Sequence, residues 1–172
     1  MKLTNSIFHS KIYITVLTLM FCIIFCSCND PYYNILHSIH ADAIKTYSVA
    51  DKSTSDRGFH NDGSTFYIFS NLHASEISQV IDNNAVWTAY SSDAPINLLL
   101  HGGQYEDVYY NALTEFTSTI LDGYYYFIDM QNTKSNYDIA DIIALYNRAS
   151  IDYILAVIDI STNTLYYFQF NS

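Results

Sequence analysis

The chain predicts an α+β domain: a small, mainly antiparallel sheet with two or three helices packed on it, closing in a C-terminal β-hairpin. Three observations lead there. Two apolar, β-branched and aromatic runs, Tyr153–Asp159 and Thr164–Phe170, flank the short polar link Ile160-Ser161-Thr162-Asn163, the pattern of a hairpin. Two further runs, Ser64–Phe69 and Gly123–Asp129, have the same strand composition. Between them lie segments whose apolar residues recur at helical spacing, without the regular alternation that a doubly wound parallel sheet requires.

In chain order, Ile35, Leu36 and Ile39 share helical spacing in a short, mixed polar and aromatic segment. Ile44–Val49 reads as a weak strand and Asp51–Gly63 as a loop. After the strand Ser64–Phe69, the period changes. Ile77, Val80 and Ile81 line one face of a helix within Asn71–Asn83, with Ser70 or Asn71 as its cap. Trp87 reads as a core plug, since Val86 adjoins it and no basic residue is near. Ala94–Gly103 predicts a short helix with Pro95 in the first turn and Gly102 at its end. Gln104–Leu121 predicts a loop-like excursion with some helix near Tyr109–Phe116. Tyr137–Arg148 predicts a helix with Ile139, Ile142, Ile143 and Tyr146 inward. In the last strand, alternation puts Tyr166, Phe168 and Phe170 on one face, and their aromatic character makes that the expected core face. The helices are expected on one face of the sheet.

The first thirty residues concern address. Lys2 and Lys11 are the only charges before Asp30, and an apolar run of fifteen residues follows from Ile12 to Cys26, interrupted by Thr15 and Thr18. This is the layout of a secretory signal, and it is shorter than the roughly twenty residues a spanning helix needs. The run ends Phe25-Cys26-Ser27-Cys28, which resembles the lipobox of bacterial lipoprotein precursors: a large apolar residue, a small residue, then the cysteine. The resemblance implies cleavage before Cys28 and lipidation of its thiol. Two acyl chains suffice for stable anchoring where one does not. An uncleaved N-terminal helix is the alternative, and it leaves the domain on the same side of the membrane. The expected organisation is a signal peptide over 1–27, lipid attachment and tether over 28–42, and one domain over 43–172. Asp122-Gly-Tyr-Tyr-Tyr-Phe-Ile-Asp129, Asn147-Arg148-Ala149-Ser150 and the terminal hairpin also resemble small lipoproteins of low-GC Gram-positive bacteria. That resemblance implies location and fold class, and carries no activity.

All three cysteines, Cys22, Cys26 and Cys28, lie at or before the expected cut, so the body can hold neither a disulfide nor a thiolate site. After the cut, five basic residues stand against all seventeen acids. So acidic a domain is a poor match for nucleic acid and for anionic headgroups, whereas a basic protein partner or a cation is electrostatically welcome; solubility alone accounts for the charge at least as well. No nucleophile elbow, zincin, phosphate-loop or EF-hand motif is present. His101-Gly102-Gly103 reads as a helix stop.

Several residues remain as weighed candidates. His37 and His40, three apart and near Asp42, offer the spacing of a weak zinc site, against a plain polar surface. Asp129 and Asp159 each end a strong strand and could share a sheet edge if those strands are neighbours; turn formation is the commoner role. Asp138 and Asp141 are three apart on a candidate helix. Arg57 and Arg148, the only arginines, default to structural ion pairs. No catalytic, cofactor or metal residue is assigned; the one assigned site is the lipidation site Cys28. The leading functional expectation is a membrane-anchored, non-enzymatic protein- or peptide-binding module. A small cell-envelope hydrolase using carboxylates is the alternative, and a transporter-linked receptor ranks last because the chain is short for two lobes.

Overall fold

The computed structural model describes residues 30–54, 63–83, 85–113, 116, 118–132 and 137–172. One compact unit runs from Leu36 to Ser172. The described elements, in order, are α1 (Tyr33–Ser38), β1 (Ser48–Thr54), β2 (Gly63–Ser70), α2 (Ala74–Asn83), β3 (Thr88–Ala89), α3 (Asn97–His101), β4 (Gly103–Tyr105), β5 (Val108–Tyr110), β6 (Gly123–Asp129), α4 (Ile139–Tyr146), β7 (Asp152–Asp159) and β8 (Thr164–Asn171). Six strands form one sheet in the order β1-β2-β8-β7-β6-β3, and β4 and β5 form a second. Every pairing is antiparallel. This is the expected α+β class, with the terminal hairpin at the middle of the main sheet. Among the described residues no helix is long and apolar enough to cross a membrane.

Partners across an antiparallel ladder share a face, so the register assigns the core. One face carries the rows Phe66–Phe168–Leu155–Phe127 and Ile68–Tyr166–Val157–Tyr125. Leu98–Leu100 of α3, Ile142 and Leu145 of α4, and Phe116 and Ile120 cover it. Phe168 stacks on Phe66 with ring centres 4.5 Å apart and meets the edge of Phe116 at 5.7 Å. The expected aromatic core face is therefore real. The opposite face carries Tyr67–Tyr167–Ala156–Tyr126 and Phe69–Leu165–Ile158–Tyr124. It too is covered, which corrects the expectation of helices on one face only. Tyr47 meets Phe69 edge-on at 5.2 Å, and His40 and Trp87 lie 5.8 and 5.9 Å from Tyr126. The Trp87 indole N–H donates to the Ile39 carbonyl at 3.1 Å, fixing the expected plug. Leu36, Ile39 and Ala41 are buried, as is Ile44 beyond them, so the segment expected as a tether over 28–42 holds core residues. α2 joins this layer where the Thr46 amide donates to the Glu76 carboxylate at 3.2 Å.

Other boundaries differ for identifiable reasons. β1 begins four residues later than expected and runs to Thr54, because pairing with β2 recruits polar residues that would not form a strand alone. The remainder of the expected loop, with Arg57 and His60, lies outside the described residues. Asn71 does not cap α2. It bends the chain at φ 59°, its amide reaches Ser48 Oγ at 3.4 Å, and the helix starts at Ala74. Tyr109 and Tyr110, at the start of the expected helix, belong instead to the hairpin β4–β5, set up by the positive φ of Gly102 and Gly103, and residues 114 and 115 lie outside the described residues. Gly102 does end α3, as expected, its N–H donating to Leu98 O.

Because β8 separates β2 from β7, removing residues 164–172 leaves two ladders without a partner. The shortened chain should lose its cooperative thermal melt. Phe168→Ala should cost about 3–5 kcal/mol in urea unfolding, a large share of the roughly 5–15 kcal/mol such a domain holds. Exposed Leu121→Ala should change stability by less than about 0.5 kcal/mol. Equal midpoints for the two variants would refute this core assignment.

Candidate functional site

The most unusual polar chemistry among the described residues sits where β6 ends and β7 begins. Asp129 closes β6 opposite Tyr153 and is completely buried. Its Oδ1 accepts the Gln131 N–H at 3.0 Å, an Asx turn that reverses the chain out of the sheet. Its Oδ2 lies 2.5 Å from Arg148 Nη1. That contact is ionic rather than a directed hydrogen bond, because neither atom meets hydrogen-bond geometry. The Arg148 side chain is 26% exposed and that of Asp129 1%, so one partner touches water and the other does not.

Arg148 reaches this place because α4 starts and stops where it does. Asp138 and Asp141, noticed as two acids three apart, form a capping box: Asp138 Oδ1 accepts the Asp141 N–H at 3.0 Å, and Asp141 Oδ2 accepts the Asp138 N–H at 2.9 Å. At the other end the Asn147 and Arg148 amides donate to Ala144 O and Leu145 O, both at 3.2 Å. The signal was present in the sequence as D-x-x-D before an apolar run. Around the ion pair, Gln131 Nε2 donates to Ser150 Oγ at 3.1 Å, and Ser150 Oγ donates to Ser172 O at 2.7 Å. The Asp129 N–H donates to Tyr137 Oη at 3.3 Å, and that hydroxyl donates to Asn132 O.

Two neighbours show what burial does here. Tyr153 lies in the row Ser64–Phe170–Tyr153–Asp129, stacked 5.6 Å from Phe170 and tilted 5.8 Å from Phe127. Its hydroxyl is buried without a hydrogen-bond partner among the described residues, and desolvation, reinforced by Tyr146, drives its pKa up, so it stays neutral. The Asp152 carboxyl is also pushed up, first by burial and then by the negative charge of Asp129.

Asp159 is equally buried but lies elsewhere. Its Oδ1 accepts the Ser161 N–H at 2.9 Å and the Ser161 hydroxyl at 2.5 Å, which shapes the β7–β8 turn. β6 and β7 are neighbours, but they are antiparallel: Asp129 pairs with Tyr153, and Asp159 pairs with Gly123. Six residues of strand put the two carboxylates about 20 Å apart. Glycosidase-type carboxylate pairs work at about 5–9.5 Å. The two candidate acids are not brought together, and each serves its own turn. Arg148 takes the structural ion-pair role expected of it.

The histidine pair is also separated. His37 Nδ1 lies 2.8 Å from Asp42 Oδ1, but α1 ends at Ser38, and His40 adopts φ 58° with its ring against Tyr126. The helical spacing that would have aligned the two is lost. No group of three metal-ligating side chains occurs among the described residues. Cys28 lies outside them.

The remaining notable surface is the hairpin β4–β5, where Val108 and Tyr109 are exposed. Composition alone did not single these out, since most of the chain's tyrosines are at least half-buried. Compared with protein-family models, curated proteins and solved structures, the chain matches none.

Two measurements test the cluster. Arg148→Met strips Asp129 of its counter-charge and should cost about 3 kcal/mol, the lower end for a broken buried pair because Arg148 is partly wetted. Adding Asp129→Asn, which keeps an acceptor for the Gln131 amide, should restore most of that loss. A double variant no more stable than Arg148→Met would refute the coupling. The second concerns pH. A carboxyl with a higher pKa folded than unfolded binds its proton more readily when folded, so its ionisation opposes folding. That penalty is present at neutral pH and disappears as pH falls through the raised folded value, which lies above the ordinary 3.8. Asp152→Asn should melt higher than the parent at pH 7 and lose its advantage below the ordinary aspartate range.

Proposed function

We propose that this chain is an exported lipoprotein, held at the extracytoplasmic face of the cell membrane by lipid on Cys28, whose domain is a non-enzymatic protein- or peptide-binding module. The observation that carries the anchoring is Phe25-Cys26-Ser27-Cys28 after a cationic start and a fifteen-residue apolar run. No cysteine follows Cys28, so the thiol chemistry of the chain is confined to the residues up to and including it. The binding role rests on the surface. The acids with the strongest claim to chemistry, Asp129 and Asp159, are each committed to a turn, and Asp129 also to Arg148. What the domain offers outward is negative charge and a hairpin with exposed Val108 and Tyr109. Aromatic residues on a firm scaffold give contact area with a polar handle.

Metabolic labelling with a fatty-acid analogue tests the anchor. The parent should take up label and fractionate with membranes, and Cys28→Ser should take up none and retain its leader. Equal labelling of the two forms would refute lipidation at Cys28, and a parent that keeps its leader would favour the uncleaved helix instead.

A further inference from the structure

The hairpin β4–β5 is a sheet of its own, beside the six-stranded one. Its register sets Tyr109 opposite Gln104 on one face and Tyr110 opposite Gly103 on the other. Tyr110 is the inward residue, with its ring centre 5.1 Å from that of Tyr146. Tyr109 therefore points outward. It is 72% exposed; Val108, paired with Tyr105, is 52% exposed on the other face, the one that carries Tyr110. Large side chains this open occur in few other places among the described residues.

The hairpin that carries them is held firmly at its base. Gly102 N–H donates to Leu98 O, and Leu113 N–H donates to Leu99 O at 3.1 Å. The Tyr146 hydroxyl lies 2.7 Å from both Leu98 O and Asn111 O and shares its proton between them. At Gly102 the backbone folds back so closely that a Cβ would sit 2.6 Å from Ala112 N and Tyr110 O. Gln104 Nε2 braces the turn by donating to Glu106 O at 3.0 Å. A partner docking here meets a surface already ordered, so little conformational entropy is lost on contact.

The chemistry of the face selects its partner. The two turn residues, Glu106 and Asp107, are exposed acids three and two positions before Tyr109. The chain after Cys28 has five basic residues against seventeen acids. An aromatic ring beside carboxylates attracts a guanidinium or ammonium through both its π-face and the adjacent charge. We propose that the outer face of β4–β5 docks an arginine- or lysine-bearing segment of another protein. The cationic head pairs with Glu106 and Asp107, and its stem lies on the Tyr109 ring. This inference rests on the binding-module reading above and names its surface and partner chemistry.

The test uses the full chain in non-ionic detergent and a fluorescently labelled alternating arginine–serine peptide, with a citrulline–serine peptide as the neutral isostere. The arginine peptide should bind at least about tenfold more tightly. Tyr109→Ala, and separately Glu106→Gln with Asp107→Asn, should each weaken it about tenfold. Asp82→Asn with Asp93→Asn removes the same charge from exposed positions elsewhere and should change affinity less than about twofold. Equal weakening by the hairpin and control pairs would show binding to net charge alone, overturning the hairpin site while leaving a binding module. Equal affinity for the two peptides would overturn the cationic partner. A Tyr109→Ala variant that dissociates a dimer in sedimentation without weakening the peptide would assign the face to a second copy of this chain, again overturning the proposal.

Discussion

A strand covered on both faces has no water to fall back on, so each of its backbone groups needs a partner in the sheet. β7 and β8 meet that demand by pairing with each other and with β6 and β2. Their side chains then have to suit two different layers at once. Leu155, Val157, Tyr166 and Phe168 meet α3, α4 and Phe116, while Ala156, Ile158, Leu165 and Tyr167 meet the layer that holds Trp87 and the segment around Ile39. Ala156 is small where Tyr126 and Tyr167 flank it in register, which leaves room for two rings on one row. The rest of the chain is arranged to supply those two layers.

The cost of such a sheet falls at its ends, where the chain leaves an apolar interior and has to turn. Both ends use an aspartate. Asp159 turns the hairpin with Ser161, and Asp129 turns the chain out of β6 with Gln131. The two are not equivalent. Asp159 is satisfied by its own neighbours, whereas Asp129 also draws in Arg148 from beyond α4. One carboxylate thereby ties a strand end to a helix end, and through Gln131 and Ser150 the tie continues to the close of β8. Such a cluster organises the fold and leaves Asp129 no oxygen without an engaged neighbour.

What was legible in the sequence follows from how local its cause is. The runs Tyr153–Asp159 and Thr164–Phe170 announce a hairpin because composition and link are contiguous, and the structure agrees. Gly102 announces the end of α3 for the same reason. β1 lies further along the chain than the expected Ile44–Val49, because its residues become a strand only through β2. Tyr109 and Tyr110 sit where some helix is expected, but the glycines before them turn the chain into a hairpin. Asp138 and Asp141 were visible as a pair, and their meaning as a reciprocal cap depended on where α4 begins. The fate of Asp129 and Asp159 was set by strand direction, which two strands joined by a helix do not disclose. Arg148 finding Asp129 is likewise a matter of topology, with nineteen positions between their numbers.

Trp87 carries a consequence of a different kind. It is the chain's single tryptophan among seventeen tyrosines, and it is buried beside Tyr126 with its indole bound to Ile39. Excitation absorbed by nearby tyrosines is therefore funnelled to one emitter. That emitter sits at the seam between the sheet and the chain segment leading in from the N-terminal side. Its emission colour reports whether that seam is closed, and the native protein contains its own optical gauge of the layer around Ile39.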